Sequence, residues 1–396
     1  MVVIPIPTGV VQVRSLTTDE ILYGDRETSY RWEVLTHSDG TDHLAGYLDG
    51  VIKQSAKFGQ SLYAPTVKGN GHLRVADLAV AQPGFMTLRE VTLTSARLRP
   101  VLVIEGLPEI PLGVFLFAAA PEDWSGSGKV VSLELLDRAT VLDQDQVDAS
   151  YTVDTSTGIL AAVSAVISSA GESITIDAEV TTALSSSMVW PAGTTKLQIV
   201  NDLLDALGYD SLRVDGVGQF QANPYVLPAN RSLTYELLNL PRELVDGETS
   251  IYSEEWSRDV DMFSVPNKVI AVQAGSGDAP ALVGEYTNTD SNSPFSYPSR
   301  GRWITRTLDN VDTPDGTDAE VIAFLESKAQ QSLIAASAVQ AAVTVRCLPI
   351  PVRVGDVLRF ANTPAGIDAR HVVTRIELEA NSLGLMRLEL QEVVSL

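Results

Sequence analysis

In the run LMRLELQEVV near the end of this chain, Met386, Leu388 and Leu390 alternate with Arg387, Glu389 and Gln391. A period of two marks a β-strand with one buried and one wet face. The same grammar recurs in VTVRCLPIPV, RVGDVLRF and RHVVTRIEL. It recurs again near the start. In REVTLTSARLRPVLVIEG (89–106), Val91 and Leu93 share one face and Thr92 and Thr94 the other, with a turn expected at Pro100. IPLGVFLFAAAPEDW and KVVSLELLDRA continue the pattern across the turn-forming SGSG at 125–128. Short strands punctuated by Gly and Pro predict barrels or sandwiches. Residues 36–50 and 55–74, rich in Gly, Ser and Asp, read as long hairpins or surface loops.

The middle changes period. In DTSTGILAAVSAVISSAG, Asp154 to Thr157 offer N-cap side chains, Ile159, Val163, Val166 and Ala170 fall on one helical stripe, and Gly171 stops it. GTTKLQIVNDLLDALGYDSLRVDGVGQF (193–220) repeats the plan. Thr194 or Thr195 caps, Leu197, Val200, Leu204 and Leu207 form the stripe, Gly208 ends it, and YDSLRV enters a DGVG turn. A last helix is marked by a capping box, Thr317 with Glu320, and by Ile322, Leu325, Ala329 and Leu333 on one face. The expected fold is mainly β with α+β inserts. Its expected divisions are residues 1–150, a first β-barrel with long N-terminal hairpins; 151–235, a small α/β domain; and 236–396, a second β-barrel with a helix-bearing piece at about 311–340.

Charge and cysteine narrow the function. The 50 Asp+Glu against 28 Lys+Arg give a net charge of −22, which repels nucleic acid and anionic lipid. Cys347 is alone, so no intrachain disulfide forms, and its strand context predicts a buried, inert thiol. The opening MVVIPIPTGVVQV lacks a basic n-region and is broken by Pro5 and Pro7, a poor signal peptide. No run approaches the roughly 18 apolar residues of a membrane span.

Chemical motifs are sparse, and no enzyme, cofactor or metal is expected. His37 and His43 bracket HSDGTDH with Asp39 and Asp42, conceivable metal ligands but more simply a polar hairpin tip. His72 follows GNG and His371 begins a strand; neither suggests a site. DNVDTPDGTDAE fails as a calcium loop, since Gly316 in the glycine slot puts Val311 and Ile322 at ligand positions. SGSGK has Asp123 and Val130 where a phosphate loop needs Gly and Ser/Thr. Paired carboxylates such as Glu254 and Glu255 carry no information in so acidic a chain.

Three motifs in order are more specific than any one of them. They are LGVFLFAAAPEDWSGSGKVVSLELLDRATVLDQD at 112–145, GTTKLQIVNDLLDALGYDSLRVDGVGQF with Pro224 and Tyr225, and PIPVRVGDVLRF; RWEVLTHSDG…GYLDGVI at 31–52 adds a fourth. The chain resembles the tail hub (baseplate hub) proteins of long-tailed bacteriophages, called minor tail proteins in actinophages. The resemblance covers most of residues 20–395. It implies two β-barrel domains with smaller α/β domains, arranged as a homotrimer whose pseudo-sixfold ring joins the tail tube to a threefold tip. It implies as partners the distal tail protein, the tape-measure protein C-terminus, and other minor tail or fibre proteins. DNA would pass through without specific binding. The place implied is the distal tail tip of a virion made in the host cytoplasm. Some relatives continue into a lytic or receptor-binding extension; this sequence ends at VVSL, so those activities are expected on other chains.

Rival readings are a carbohydrate- or receptor-binding virion module, an unrecognised wall hydrolase, and the hub of a contractile injection particle. The first needs an exposed aromatic platform. Trp32, Trp124 and Trp303 lie beside strand-like runs, where core or interface packing is the expectation. Loops 36–50, 55–74 and 275–300 are the expected partner contacts.

Overall fold

The computed structural model describes residues 2–5, 11–14, 26–64, 68–126, 128–177, 179–238, 243–244, 247–248, 252–259, 263–275, 280–291, 293–338 and 342–393. Its first elements are a ribbon of β1 (Val2–Pro5) and β2 (Val11–Arg14). Then come β3 (Thr28–Ser38), β4 (Thr41–Tyr47), β5 (Lys57–Ser61), β6 (Gly69–Ala76), β7 (Arg97–Ile104), β8 (Ile110–Pro111), β9 (Phe115–Ala119), β10 (Glu122–Ser125) and β11 (Gly128–Asp137). The two Gly/Ser/Asp-rich stretches are therefore largely paired strands, forming the β3–β4 and β5–β6 hairpins.

Beyond β4 the chain bonds back onto β6, with Ile52 N–H donating to Arg74 O and Ala76 N–H to Gly50 O, both at 2.8 Å. That return closes a first barrel. Its core holds Val34, Phe58, Leu73, Val75, Leu98, Phe115, Leu133 and Leu135. The predicted turn at Pro100 is not there. Residues 92–96 turn instead, Val91 tucks into the barrel core, and Pro100 lies inside β7 opposite Trp32. Pro100 O accepts from Leu112 N–H at 2.9 Å, so its missing N–H faces the gap between β9 and β8 and costs the β3 ladder nothing.

The middle segment builds its own core. It comprises α1 (Thr140–Gln144), β12 (Tyr151–Val153), α2 (Ile159–Ser169), β13 (Met188–Trp190), α3 (Lys196–Ala206), β14 (Arg213–Val214) and β15 (Phe220–Gln221). Thr195 caps α3, accepting from Gln198 N–H at 3.2 Å. Leu197, Val200 and Leu204 are buried, as are Ile199, Leu203 and Ala206, a wider face than the stripe expected. Gly208 takes a left-handed φ of 77°. The α2 cap differs from expectation. Gly158 is the N-cap, residues 154–157 form a turn, and the Ile159 amide is satisfied by Thr182 O at 2.8 Å. A backbone carbonyl has replaced the side-chain cap.

The remainder holds β16 (Leu233–Leu238), β17 (Glu243–Leu244), β18 (Gly247–Glu248), β19 (Tyr252–Asp259), β20 (Lys268–Gln273), β21 (Leu282–Thr287), α4 (Tyr297–Arg300), β22 (Thr305–Leu308), α5 (Asp318–Ala338), β23 (Ala342–Cys347), β24 (Val357–Asn362), β25 (Ile367–Glu379) and β26 (Met386–Glu392). A second barrel runs β16–β24–β25–β26–β23–β19. Tyr252 on the last strand reaches back to Ala361 O on β24 at 3.2 Å. Cys347 is buried in its core, where burial pushes the thiol up to about 12. His371 does not begin a strand; it sits inside β25, 1% exposed, edge-on to Phe360.

The three-stranded sheet β21–β20–β22 packs on α5. Thr317 and Glu320 form the predicted capping box, with Thr317 N–H donating to the Glu320 carboxylate at 2.8 Å. Val321, not Ile322, is the buried first-turn residue, because the helix meets the sheet at Gly284. A Cβ there would lie 2.4 Å from Glu326 N.

The two barrels share one sheet. β5 pairs with β6 of the first barrel on one side and with β25 of the second on the other, in register Arg375↔Ser61 to Glu379↔Lys57. Fifteen strands among the described residues belong to this sheet.

Candidate assembly surfaces and the joints that hold them

At the β3–β4 hairpin tip the charged side chains meet in ion pairs. Asp42 accepts from Arg97 at 3.0 Å and from Arg138 at 3.2 Å. Glu172, just beyond α2, accepts from Arg97 at 2.6 Å and from Arg138 Nε at 2.8 Å. His37 closes the group, its Nδ1 2.7 Å from Asp42 and its Nε2 3.2 Å from Gly171 O. Both carboxylates and both guanidiniums have side chains no more than 7% exposed. Two negative and two positive charges cancel, which makes their burial tolerable. Arg138 also donates to Gly218 O at 2.7 Å and Gly40 O at 3.3 Å, so it ties the hairpin tip to both ends of the α/β segment. Asp42 is committed to this network, and no group of three or more potential ligands that could hold a metal occurs among the described residues.

Reading motifs one at a time missed this joint. Arg97 sits in an apolar strand run, Arg138 in LLDRA and Glu172 after a helix stop. Lone charges within or beside apolar runs were the signal available.

A second joint lies across the shared sheet. A cavity of about 790 Å³ opens over Lys57, Gly59, His72, Arg346, Arg375, Glu377 and Arg387. Arg387 lies 3.3 Å from Glu377, Arg375 2.8 Å from Glu377, and Lys57 3.6 Å from Glu379. Arg346 is exposed opposite Arg387 and has no carboxylate partner among the described residues. Beneath the joint, Asp137 accepts from Gly69 N–H at 2.5 Å and Ala139 N–H at 2.9 Å. Burial nevertheless pushes its carboxyl up to about 6.

The tryptophans divide. Trp32 is partly buried against the first barrel core. Trp124 is 74% exposed on β10, so it is not core. Trp303 is 45% exposed, with Tyr297 stacked 4.4 Å from it and Lys268 Nζ 5.7 Å from its ring centroid. Tyr297 therefore covers one face of the indole.

No family model and no curated protein sequence matches the chain. Solved structures do. A tail protein from Neisseria meningitidis MC58 superposes with a TM-score of 0.62 at 15% identity, over 92% of this chain and 97% of that one. The 43 kDa tail protein of prophage MuSo2 from Shewanella oneidensis gives 0.57 at 14%, over 91% and 98%. The chain has the fold of phage tail proteins. The tail-protein fold also reaches a Francisella PdpA–VgrG complex, with a TM-score of 0.52 at 8% identity over 94% of this chain and 59% of that one. In this tail-protein fold, no helix among the described residues is long and apolar enough to cross a membrane.

Proposed function

We propose that the protein is a structural virion component, a tail hub at the distal end of a phage tail. The observation that carries this reading is end-to-end correspondence: 92% of this chain and 97% of a solved tail protein superpose. A match to a single shared barrel would leave most of one chain uncovered. In this reading three copies form a ring between a sixfold tube and a threefold tip. Distal tail, tape-measure and fibre proteins are its neighbours, and DNA crosses its lumen unbound. The domains divide near residues 138 and 235, the first before the expected 150 because Ala139 and Leu142 pack in the middle core, and no catalytic step is assigned to the chain. The buried Asp42–Arg97–Arg138–Glu172 cluster and the shared β5 supply the rigidity that a ring in fixed register needs.

Immunogold labelling of intact particles tests the reading. Gold at one end of the tail is the expected result. Gold along the shaft makes the protein a tube component, and unlabelled particles remove it from the virion. Light scattering of the purified chain is expected to give the trimer mass, and a stable dimer contradicts a threefold ring. A second reading, the hub of a contractile injection particle, is favoured by the likeness to the PdpA–VgrG complex. Labelling at the tip of a sheathed particle selects it.

A further inference from the structure

The outer face of the shared sheet forms a trough where the two barrels meet. Arg346 on β23, Arg387 on β26, Glu377 on β25, Gly59 on β5 and Asn70 on β6 stand opposite one another in turn. Residues in such a row put their side chains on one face. Phe58 and Leu378, the chain neighbours of Gly59 and Glu377, go into the barrel cores, so the row faces outward. Gly59 leaves the floor bare at the seam, where an added Cβ would lie 2.5 Å from Asn70 Oδ1. This depression is the cavity of about 790 Å³ described above. From β23 to β6 it crosses four strand spacings, about 19 Å, the length of about six residues of extended peptide.

Its charge runs against that of the chain. Lys57, Lys68, Arg346, Arg375 and Arg387 line the cavity together with Glu377 and Glu379, and Glu389 adds a carboxylate at the edge, 3.8 Å from Arg387. Basic groups therefore outnumber acidic ones here, in a chain with 50 Asp+Glu against 28 Lys+Arg. The ion pairs do not use up the cations. Glu377 is shared by Arg375 at 2.8 Å and Arg387 at 3.3 Å. Arg346 is exposed directly opposite Arg387, with no carboxylate partner among the described residues. Like charges in that position repel. An anion laid between them removes the repulsion and gains charge-assisted bonds from both guanidiniums.

One end of the trough is apolar. Leu385 lines it, 37% exposed, and its carbonyl accepts from Glu379 N–H at 3.1 Å, so strand pairing reaches this far. Leu348, also 37% exposed, lies one step past the Cys347↔Met386 pair and so beside Leu385. Leu383, 82% exposed, stands on the adjoining turn.

We propose that this trough binds an extended acidic segment of another protein, about six residues long and carrying an apolar side chain at the leucine end. Arg346 and Arg387 take its carboxylates, Lys57 holds a further one near the seam, and Leu385 with Leu348 takes the apolar group. A phosphate polymer would meet the guanidiniums and leave the leucines unused. A folded acidic domain is held off by the net charge of −22, whereas a single extended strand reaches the floor. The argument stands on this face alone and does not need the tail assignment.

Fluorescence anisotropy of the full chain titrated into a labelled peptide of six glutamates followed by two leucines tests it. Saturable binding that weakens with salt is expected, and the same peptide with glutamine for glutamate should not bind. Arg346→Glu and Lys57→Glu should each raise the dissociation constant about tenfold or more. Leu385→Asn should weaken this peptide about tenfold and leave hexaglutamate without leucines unchanged. Arg346→Glu places opposite charges face to face across β23 and β26, so the fold is kept, which an unchanged circular dichroism melt checks. Should it disturb the fold, Arg346→Gln carries the same expectation. No binding at low salt overturns the proposal, as does binding indifferent to both charge reversals. Displacement of the peptide by inorganic polyphosphate, with Leu385→Asn without effect, makes this a phosphate site and overturns it too. So does self-association of the chain that Arg346→Glu abolishes, since the occupant is then a second copy. Particle labelling reads the tail assignment separately, so either can fail alone.

Discussion

At the scale of single residues, the buried cluster is where the smallest change has the largest effect. Glu172, its side chain 1% exposed, is the carboxylate bonded by both Arg97 and Arg138. Glu172→Gln leaves two buried guanidiniums facing one carboxylate and should cost about 3 kcal/mol or more in urea unfolding. Asp177→Asn, exposed and with no basic partner among the described residues, can keep the bond from Glu179 N–H at 3.0 Å and should change stability by less than about 0.5 kcal/mol in the same assay. His371 makes a prediction about pH. Its Nδ1 lies 3.0 Å from Ala369 O, and its Nε2 is buried without a hydrogen-bond partner among the described residues. Burial lowers its pKa from 6.5, so the unfolded chain takes up the proton more readily than the folded one. The stability linked to it is present above pH 6.5 and is lost as pH falls below that value. His371→Asn keeps a donor where Nδ1 stands and has nothing to titrate. Its thermal midpoint should vary less between pH 7 and pH 5 than that of the parent; equal slopes would clear His371 of the effect.

At the scale of elements, local grammar and distant partners part company. In α3, a cap at Thr194 or Thr195, the Leu197–Val200–Leu204 part of the stripe and the Gly208 stop were legible, because each depends on neighbours within a few positions, while Leu207, expected in the stripe, is the half-buried C-cap. Thr195→Ala should cost about 1 kcal/mol by removing one cap hydrogen bond. Leu203→Ala should cost about 3 kcal/mol by opening a cavity at a fully buried position. Both are read from denaturation midpoints, and a cap loss exceeding the cavity loss would contradict the packing described. What was not legible has the opposite character. The α2 amide is satisfied by Thr182 across the fold, so side-chain caps at 154–157 were the wrong place to look. Pro100 reads as a breaker until β8 and β9 are seen to leave a gap beside it. Arg97, Asp42 and Glu172 lie 55 and 75 residues apart along the chain, and no spacing rule connects them.

At the scale of the whole molecule, β5 makes two barrels into one sheet. Trp32 packs in the first barrel core and Trp256 in the second, so each reports one of them. In single-tryptophan variants the two fluorescence transitions should coincide, because unpairing β5 from β25 exposes backbone edges on both sides. Two separated midpoints would show that the barrels melt independently and that the shared strand couples them weakly.

That shared strand also sets a timetable for biosynthesis. The partner of β5 lies about three hundred residues further along the chain. At 5–20 residues per second, a ribosome needs roughly 15–60 s after finishing β5 before β25 has been made. Through that interval the nascent first barrel carries an open strand edge, the kind of edge that recruits wrong neighbours. Expression at low temperature lengthens the wait, and a chaperone that covers strand edges shortens its consequences. The soluble yield of this protein is therefore expected to fall when synthesis beyond β5 is slowed.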